Sequence, residues 1–216
     1  MARRTLSRDV IVAAAFAELE VGGLAGLTAR SLAARLGVQP GALYHHVRDM
    51  ATLRDEMATA LTRDMFTTGA ATASPVGWRE MIEQFARTMR TVLLGHRDGA
   101  RLFSGTRLTD PALIAAQEEP LRRLTGQGFT IDEAVLTFQT VRAFVTGHVI
   151  EEQHRAEAAA ANPDAHSPSL RAAQAPESAV LVRASSARTF GDPDEAFEWG
   201  LRAVIRGIAD GVAGAG

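Results

Sequence analysis

Two residue types are missing altogether. The 216-residue chain has no cysteine, which excludes disulfides, zinc–thiolate centres and thiol nucleophiles. It also has no lysine, since all 23 basic residues are arginine. That removes Schiff-base chemistry and the lysine of a phosphate-cradling P-loop. With the abundant alanine and glycine, it reads as a GC-rich coding bias. Long hydrophobic runs are lacking too: the longest, Val10–Ala17, falls far short of the roughly 20 residues that cross a bilayer. Met1–Arg4 is basic, but Arg8, Asp9 and Glu18 follow with no small-residue cleavage site, so no signal peptide is expected. Neither charge sign dominates. The formal net charge is −2, with 46% apolar and 22% charged residues, which speaks against disorder and against a uniformly basic protein. One or two globular domains in a soluble, cytoplasmic protein are expected, with no membrane association. There is no G-x-S-x-G elbow, dinucleotide fingerprint or H-E-x-x-H pair, so no enzymatic activity, catalytic residue or cofactor is assigned.

Period-2 alternation of the kind that marks a half-buried strand is also absent, while apolar residues fall at helical spacing almost throughout. The predicted fold class is all-α. Ser7 can cap a first helix that Gly22-Gly23 ends, and Thr28 a second that runs through Leu36 and closes at Gly37. A third is predicted from Pro40 to His46, and a fourth, connecting helix over about 49–66. Thr67–Pro75 is a composition break. Gly77–Leu94 is again helical. Asp110-Pro111 starts a helix that Pro120 should kink or break. Thr130 and Glu133 form a capping box opening a long helix to about Ala161. Asp192-Pro193 opens the last helix, and 162–178, rich in Ala, Pro and Ser, is expected to be a mobile loop. The predicted domains are 1–50 and 51–216.

Thr28–Val47 carries the most information. Two short helices joined by a tight turn at Gly37-Val38-Gln39 match a helix-turn-helix, in which a φ-permissive turn residue lets the helices cross steeply. Leu32, Ala33, Leu36, Val38 and Leu43 can form their shared core. Residues 1–55 carry a formal +2 and the remainder −4, a small excess on the side where phosphate contacts would supply affinity.

Gly26-Leu-Thr-Ala-Arg30, Leu32-Ala33, Leu36-Gly37-Val38 and Leu43-Tyr44-His45-His46-Val47 resemble the DNA-binding head of the TetR family of transcriptional regulators. Further along, Arg97-Asp98-Gly99-Ala100, Gly105-Thr106-Arg107, Gly126-Gln127-Gly128-Phe129 and Gly147-His148-Val149-Ile150-Glu151 resemble the core of the tetracycline-repressor branch. The resemblance implies an N-terminal three-helix reading head and a helical ligand-binding and dimerisation core. It places Pro40, Gly41, Ala42, Tyr44 and His46 on the groove side of the recognition helix, and Thr28 and Arg30 beside phosphate or a flanking base. Pro40, Gly41 and Ala42 offer only backbone groups and small apolar contact with thymine methyls. Tyr44, His46 and Arg48 are expected at phosphates, where they fix register without specifying sequence. Packing within a small three-helix domain is an alternative role for Tyr44 and His45.

In that branch a drug–magnesium chelate is sensed, and the metal-binding histidine two residues before Gly-Thr-Arg aligns with Phe103 here. Two polar drug contacts align with Phe66 and Phe85, and a glutamine with Pro120. Glu151 matches the acidic residue that orients metal-bound water. Phenylalanine offers Mg²⁺ none of the hard oxygen donors or water it requires, so tetracycline–magnesium is not the expected effector. The resemblance instead implies a cavity walled by Phe66, Phe85, Met89, Phe103, Leu108, Val135 and Phe138, with Thr106, Arg107, Gln117, Gln139 and Arg142 as orienting polar groups. Such a site suits a small hydrophobic molecule, with a filled core as the alternative. His148, Glu151, Glu152 and His154 share one helix, but a polar face explains them and no metal is assigned. The helices opening at Thr130 and Asp192 resemble the family's dimerisation pair. Phe197 and Trp199 cannot both face one interface. A two-fold dimer would present two recognition helices to an inverted-repeat operator on double-stranded DNA, most simply as a repressor. A binding protein of the same fold without specific DNA recognition is the rival reading.

Overall fold

The computed structural model describes residues 6–70, 77–162 and 192–213, with a few isolated positions between 163 and 191. Among the described residues every regular element is a helix. They are α1 (Arg8–Gly26), α2 (Ala29–Leu36), α3 (Pro40–Leu43), α4 (Met50–Ala70), α5 (Trp78–Leu94), α6 (Gly99–Phe103), α7 (Pro111–Ala116), α8 (Glu118–Thr125), α9 (Ile131–Ala161) and α10 (Pro193–Ala213).

The Ser7 side chain accepts from the Val10 amide at 3.3 Å, and α1 buries Ile11, Ala15 and Leu19 on a four-residue spacing. The sequence predicts an end at Gly22-Gly23. The helix instead kinks at Gly23 (φ 63°, ψ −172°) and resumes to Gly26. Thr28 and Ser31 cap α2 reciprocally, and Gly37 ends it in the left-handed region at φ 67°, a conformation only glycine enters without steric cost. The predicted third helix is shorter than expected. It covers Pro40–Leu43, and 44–46 form a turn in which Leu43 O accepts from the amides of both His46 and Val47.

The connecting helix is longer than expected. It passes through Thr67–Ala70, where a break is predicted; Thr67 returns its hydroxyl to Arg63 O (3.0 Å), and Gly69 O accepts from Gln84 on α5 (3.3 Å). Residues 71–75, the rest of that break, lie outside the described residues. So does most of the predicted loop 162–178, although Asn162 itself caps α9. Along α4, Leu53, Met57, Leu61 and Met65 turn one stripe inward, each contributing roughly 1.5–3 kcal/mol by burial. Because α4 packs on α1 at one end and on α5 and α6 at the other, it ties the N-terminal three-helix unit to the rest of the chain.

Pro120 breaks its helix as predicted. The chain divides at Gln117 and Pro120 sits in the first turn of α8, where its missing N–H costs little. The capping box at Thr130 and Glu133 opens α9, which ends at Ala161. Asp192 caps α10 through bonds from the Asp194 and Glu195 amides (2.9 and 3.0 Å). α5, α9 and α10 pack together. There Phe197 is buried and stacks on Phe144 at 5.6 Å, while Trp199 is 69% exposed. Ion pairs from Arg87 to Glu198 (2.8 Å) and from the largely buried Arg90 to Glu152 and Asp194 (2.8 and 2.6 Å) join the three helices. No described helix is long and apolar enough to cross a membrane.

Candidate functional site

The first candidate surface lies on the N-terminal unit. Thr28, Arg30, Pro40, Gly41, Tyr44 and Arg48 are exposed, and Ala42 and His46 are half-buried. Leu32, Ala33, Leu43 and Val47 hold them from beneath as the buried side of the same segment. The Thr28 hydroxyl is engaged in capping α2, accepting from Ser31 N at 3.1 Å. Tyr44 is 49% exposed and His45 is exposed, so neither packs into the core of this unit. Arg48 pairs with its neighbour Asp49 (3.1 Å). Asp49 caps the start of α4 through the Thr52 amide (2.7 Å), and that bond, with those to the Thr52 and Arg48 side chains, lowers its pKa to about 2.

The second candidate site lies between α4, α5, α6 and α9. Phe85 and Phe138 meet edge to face at 5.3 Å, Met89 is fully buried, and Phe66 and Val135 are half-buried. Phe103 is 7% exposed and lies beneath the Arg142 guanidinium at 4.8 Å. Next to that pair opens a crevice of about 480 Å³, lined by Ser104, Gly105, Gln139, Arg142, Ala143, Thr146, Gly147 and Ile150. Only Gln139 and Arg142 among the sequence-predicted cavity residues line it. The others sit beside it or elsewhere. Thr106 donates its hydroxyl to Phe103 O (2.7 Å), Leu108 is half-buried, and Gln117 is exposed on the turn between α7 and α8.

Arg107 turns towards α4. Its amide donates to Asp55 Oδ1 (3.0 Å) and its guanidinium to Asp55 Oδ2 (3.3 Å). Thr109 N donates to Thr59 Oγ1 (3.0 Å) and Arg63 pairs with Asp110 (2.9 Å). Three successive turns of α4 are thus bound to the strip 107–110 that leaves the crevice. Sequence reasoning missed Asp55 and Thr59, because nothing local marks a partner some 50 residues away.

The N-terminal unit touches the rest at a further place. His96 and the Arg97 amide both meet the Glu20 carboxylate (3.1 and 3.3 Å), and the Arg97 guanidinium donates to Val21 O (2.8 Å). Asp98, 7% exposed, accepts from the Leu24 amide at 2.8 Å. It thereby supplies the acceptor that the kink at Gly23 requires.

Where the resemblance would put a metal, the aligned side chain is that of Phe103. Phe103 carries no donor, and among the described residues no three His, Asp or Glu side chains converge. His148 stands 3.9 Å from Glu152 and 3.3 Å from Pro193 O, while Glu152 is taken by Arg90. The residues present therefore do not fit a magnesium chelate.

Comparison with known proteins agrees with this architecture. Residues 11–57 match the family described as "Bacterial regulatory proteins, tetR family", and residues 65–212 match "Tetracyclin repressor-like, C-terminal domain". The chain is 38% identical over 204 residues to the tetracycline repressor protein class A from transposon 1721 of Escherichia coli, covering 94% of this chain and 91% of that one. Among solved structures it resembles class A TetR in complex with 5a,6-anhydrotetracycline and magnesium (30% identity, TM-score 0.70, covering 95% and 99%). It also resembles the Streptomyces coelicolor protein ActR in complex with actinorhodin (26% identity, TM-score 0.79, covering 96% and 98%). The chain belongs to the TetR family, in its tetracycline-repressor-like branch of ligand-responsive, DNA-binding transcriptional regulators.

Proposed function

We propose that this protein is a cytoplasmic, homodimeric repressor that leaves an inverted-repeat operator when a small apolar effector occupies its core. Residues 1–50 form the reading head and 51–216 the effector-binding and dimerisation domain. Thr28, Arg30, Tyr44, His46 and Arg48 meet the DNA backbone, and Pro40, Gly41 and Ala42 approach base edges. The observation that carries the reading is the bonded strip 107–110. Polar contacts from Asp55, Thr59 and Arg63 join the segment that leaves the Phe103–Arg142 crevice to the helix that emerges from the head. A ligand that alters the crevice biases the position of α4, and it does so only by its differential affinity for the two arrangements.

The effector differs in kind from a tetracycline–magnesium chelate, because Phe66, Phe85 and Phe103 replace polar and metal-binding groups with aromatic area. Arg142 is, among the described residues, the cation that lines the crevice, which suits a flat, mainly apolar molecule bearing a single acidic or carbonyl group. Dimerisation uses the outer faces of α9 and α10, where Leu136 (59% exposed) and Trp199 (69% exposed) remain uncovered in the single chain.

Fluorescence anisotropy of the protein against DNA from its own upstream region, with a scrambled duplex as control and a salt series, tests the reading. Sequence-specific binding by two protomers with a steep salt dependence is expected. Equal binding to both duplexes, or none, would leave a ligand-binding protein without operator recognition.

A further inference from the structure

The recognition helix α3 is a single turn, too short to hold its own conformation, and its exit runs through the turn 44–46. Leu43 O is satisfied by the His46 and Val47 amides. At the end of that turn the His46 carbonyl accepts from Arg8 Nε at 3.2 Å, a contact across 38 residues of chain. Arg8 is the first residue of α1. A cation there faces the positive end of its own helix dipole, so its placement does nothing for α1. The same Nε lies 3.3 Å from Glu56 Oε1 on α4.

Glu56 is the more unusual partner. Its side chain is 10% exposed, and Oε2 is buried with no hydrogen-bond partner among the described residues. Burial pushes its carboxyl above the usual range, with Arg8 opposing and Asp9 adding to that push. A half-satisfied buried carboxylate costs stability that an apolar residue of similar size would not, so packing alone does not account for it. What the carboxylate does achieve is to hold the Arg8 guanidinium over the end of the recognition turn.

We propose that Arg8 and Glu56 are positioning residues for DNA binding: Glu56 anchors Arg8, and Arg8 pins the His46 carbonyl, so that Tyr44 and His46 are held in the DNA-bound arrangement before DNA arrives. Pre-ordering of this kind raises affinity by removing an ordering cost, not by adding a contact. The inference rests on the DNA-binding reading above.

The test uses the full-length protein and a duplex enriched by it from a random library. Arg8→Ala and Glu56→Ala should each weaken binding about tenfold, and the double variant no more than either single one, because the pair acts as one unit. The slope of log affinity against log salt should stay unchanged in all three. Glu56→Gln, which keeps the shape, should be at least as stable as the wild type at neutral pH and still bind several-fold more weakly, a combination that a purely structural role would not produce. A salt slope reduced by about one in Arg8→Ala would make Arg8 a phosphate ligand and overturn the assignment. Unchanged affinity, or additive losses, would overturn it as well. A wild type that enriches no duplex would overturn the DNA-binding reading itself, whereas specific wild-type binding with any of those variant outcomes would overturn only the positioning role.

Discussion

The head, and the connecting helix α4 that leaves it, meet the core along two seams of different exposure. At the first, the bend of α1 lies against the turn 96–98. Its central contact joins a backbone amide, that of Leu24, to a carboxylate that is 7% exposed. At the second, α4 meets the strip 107–110 through side chains at the surface, with Arg107 82% and Arg63 55% exposed. Asp98 holds a left-handed φ of 54°, and a methyl group added at Gly23 would stand 2.7 Å from its carboxylate. The first seam therefore has one arrangement. The second mixes solvated ion pairs, each worth well under about 1 kcal/mol net, with backbone amides on Asp55 and on the buried Thr59 hydroxyl, so only its ion pairs can be exchanged at little cost. The two differ in what a change at each should cost, stability at the first and little of it at the ion pairs of the second.

Gly23→Ala should break the fixed seam most severely. It combines a disfavoured φ with a clash against Asp98, and a loss of about 3 kcal/mol is expected in chemical denaturation. Asp98→Ala comes next, leaving the Leu24 amide unsatisfied, at a cost of about 2 kcal/mol. Asp98→Asn, which tolerates the left-handed region and keeps an acceptor, should recover most of it. At the adjustable seam, Arg107→Ala and Asp55→Ala should each change stability by less than about 1 kcal/mol. Both should nevertheless weaken release of DNA by effector, read as a smaller shift in operator affinity on adding ligand. If Arg107→Ala proved as destabilising as Gly23→Ala, the contrast between the seams would be wrong.

The smallest effect lies outside both seams. Burial holds the His148 imidazole below its ordinary value of 6.5, against the pull of Pro193 O and Glu152, with Arg90 and Arg155 also opposing protonation. The unfolded chain therefore binds a proton more readily than the folded one. Stability should fall slightly as pH drops through that range, and His148→Gln should flatten thermal stability measured across it.

Much of this was readable from the residues. Ser7, Thr28 and Thr130 mark helix starts because capping is local chemistry, and Gly37 marks an end for the same reason. The bend at Gly23 was not readable. Two adjacent glycines signal a stop, and only a carboxylate 74 residues away converts the stop into a kink. The recognition helix is shorter than its pattern suggests because the chain turns at once after Leu43. The cavity residues were the least legible. Phe85 and Phe138 do meet, but Arg107 carries the same charge as Arg142 and its direction is set by Asp55, a choice no spacing rule encodes. Glu56 was also invisible, being one acid among several on α4, with no local mark to set it apart from Asp55 or Asp64.

The unbroken length of α4 has a mechanical consequence. Twenty-one residues of continuous helix make a rod on the order of 30 Å long. The strip 107–110 grips it at Asp55, Thr59 and Arg63, about 8–20 Å from its head end by helical rise, so a tilt of about 5° there would carry that end on the order of 1–2 Å. The predicted break at Thr67 would have shortened the rod at the end away from the head. By running through it, the chain extends α4 beyond that grip to α5, where Gly69 O accepts from Gln84 (3.3 Å), so the rod is held against the core on one side of the grip and continues to the head on the other.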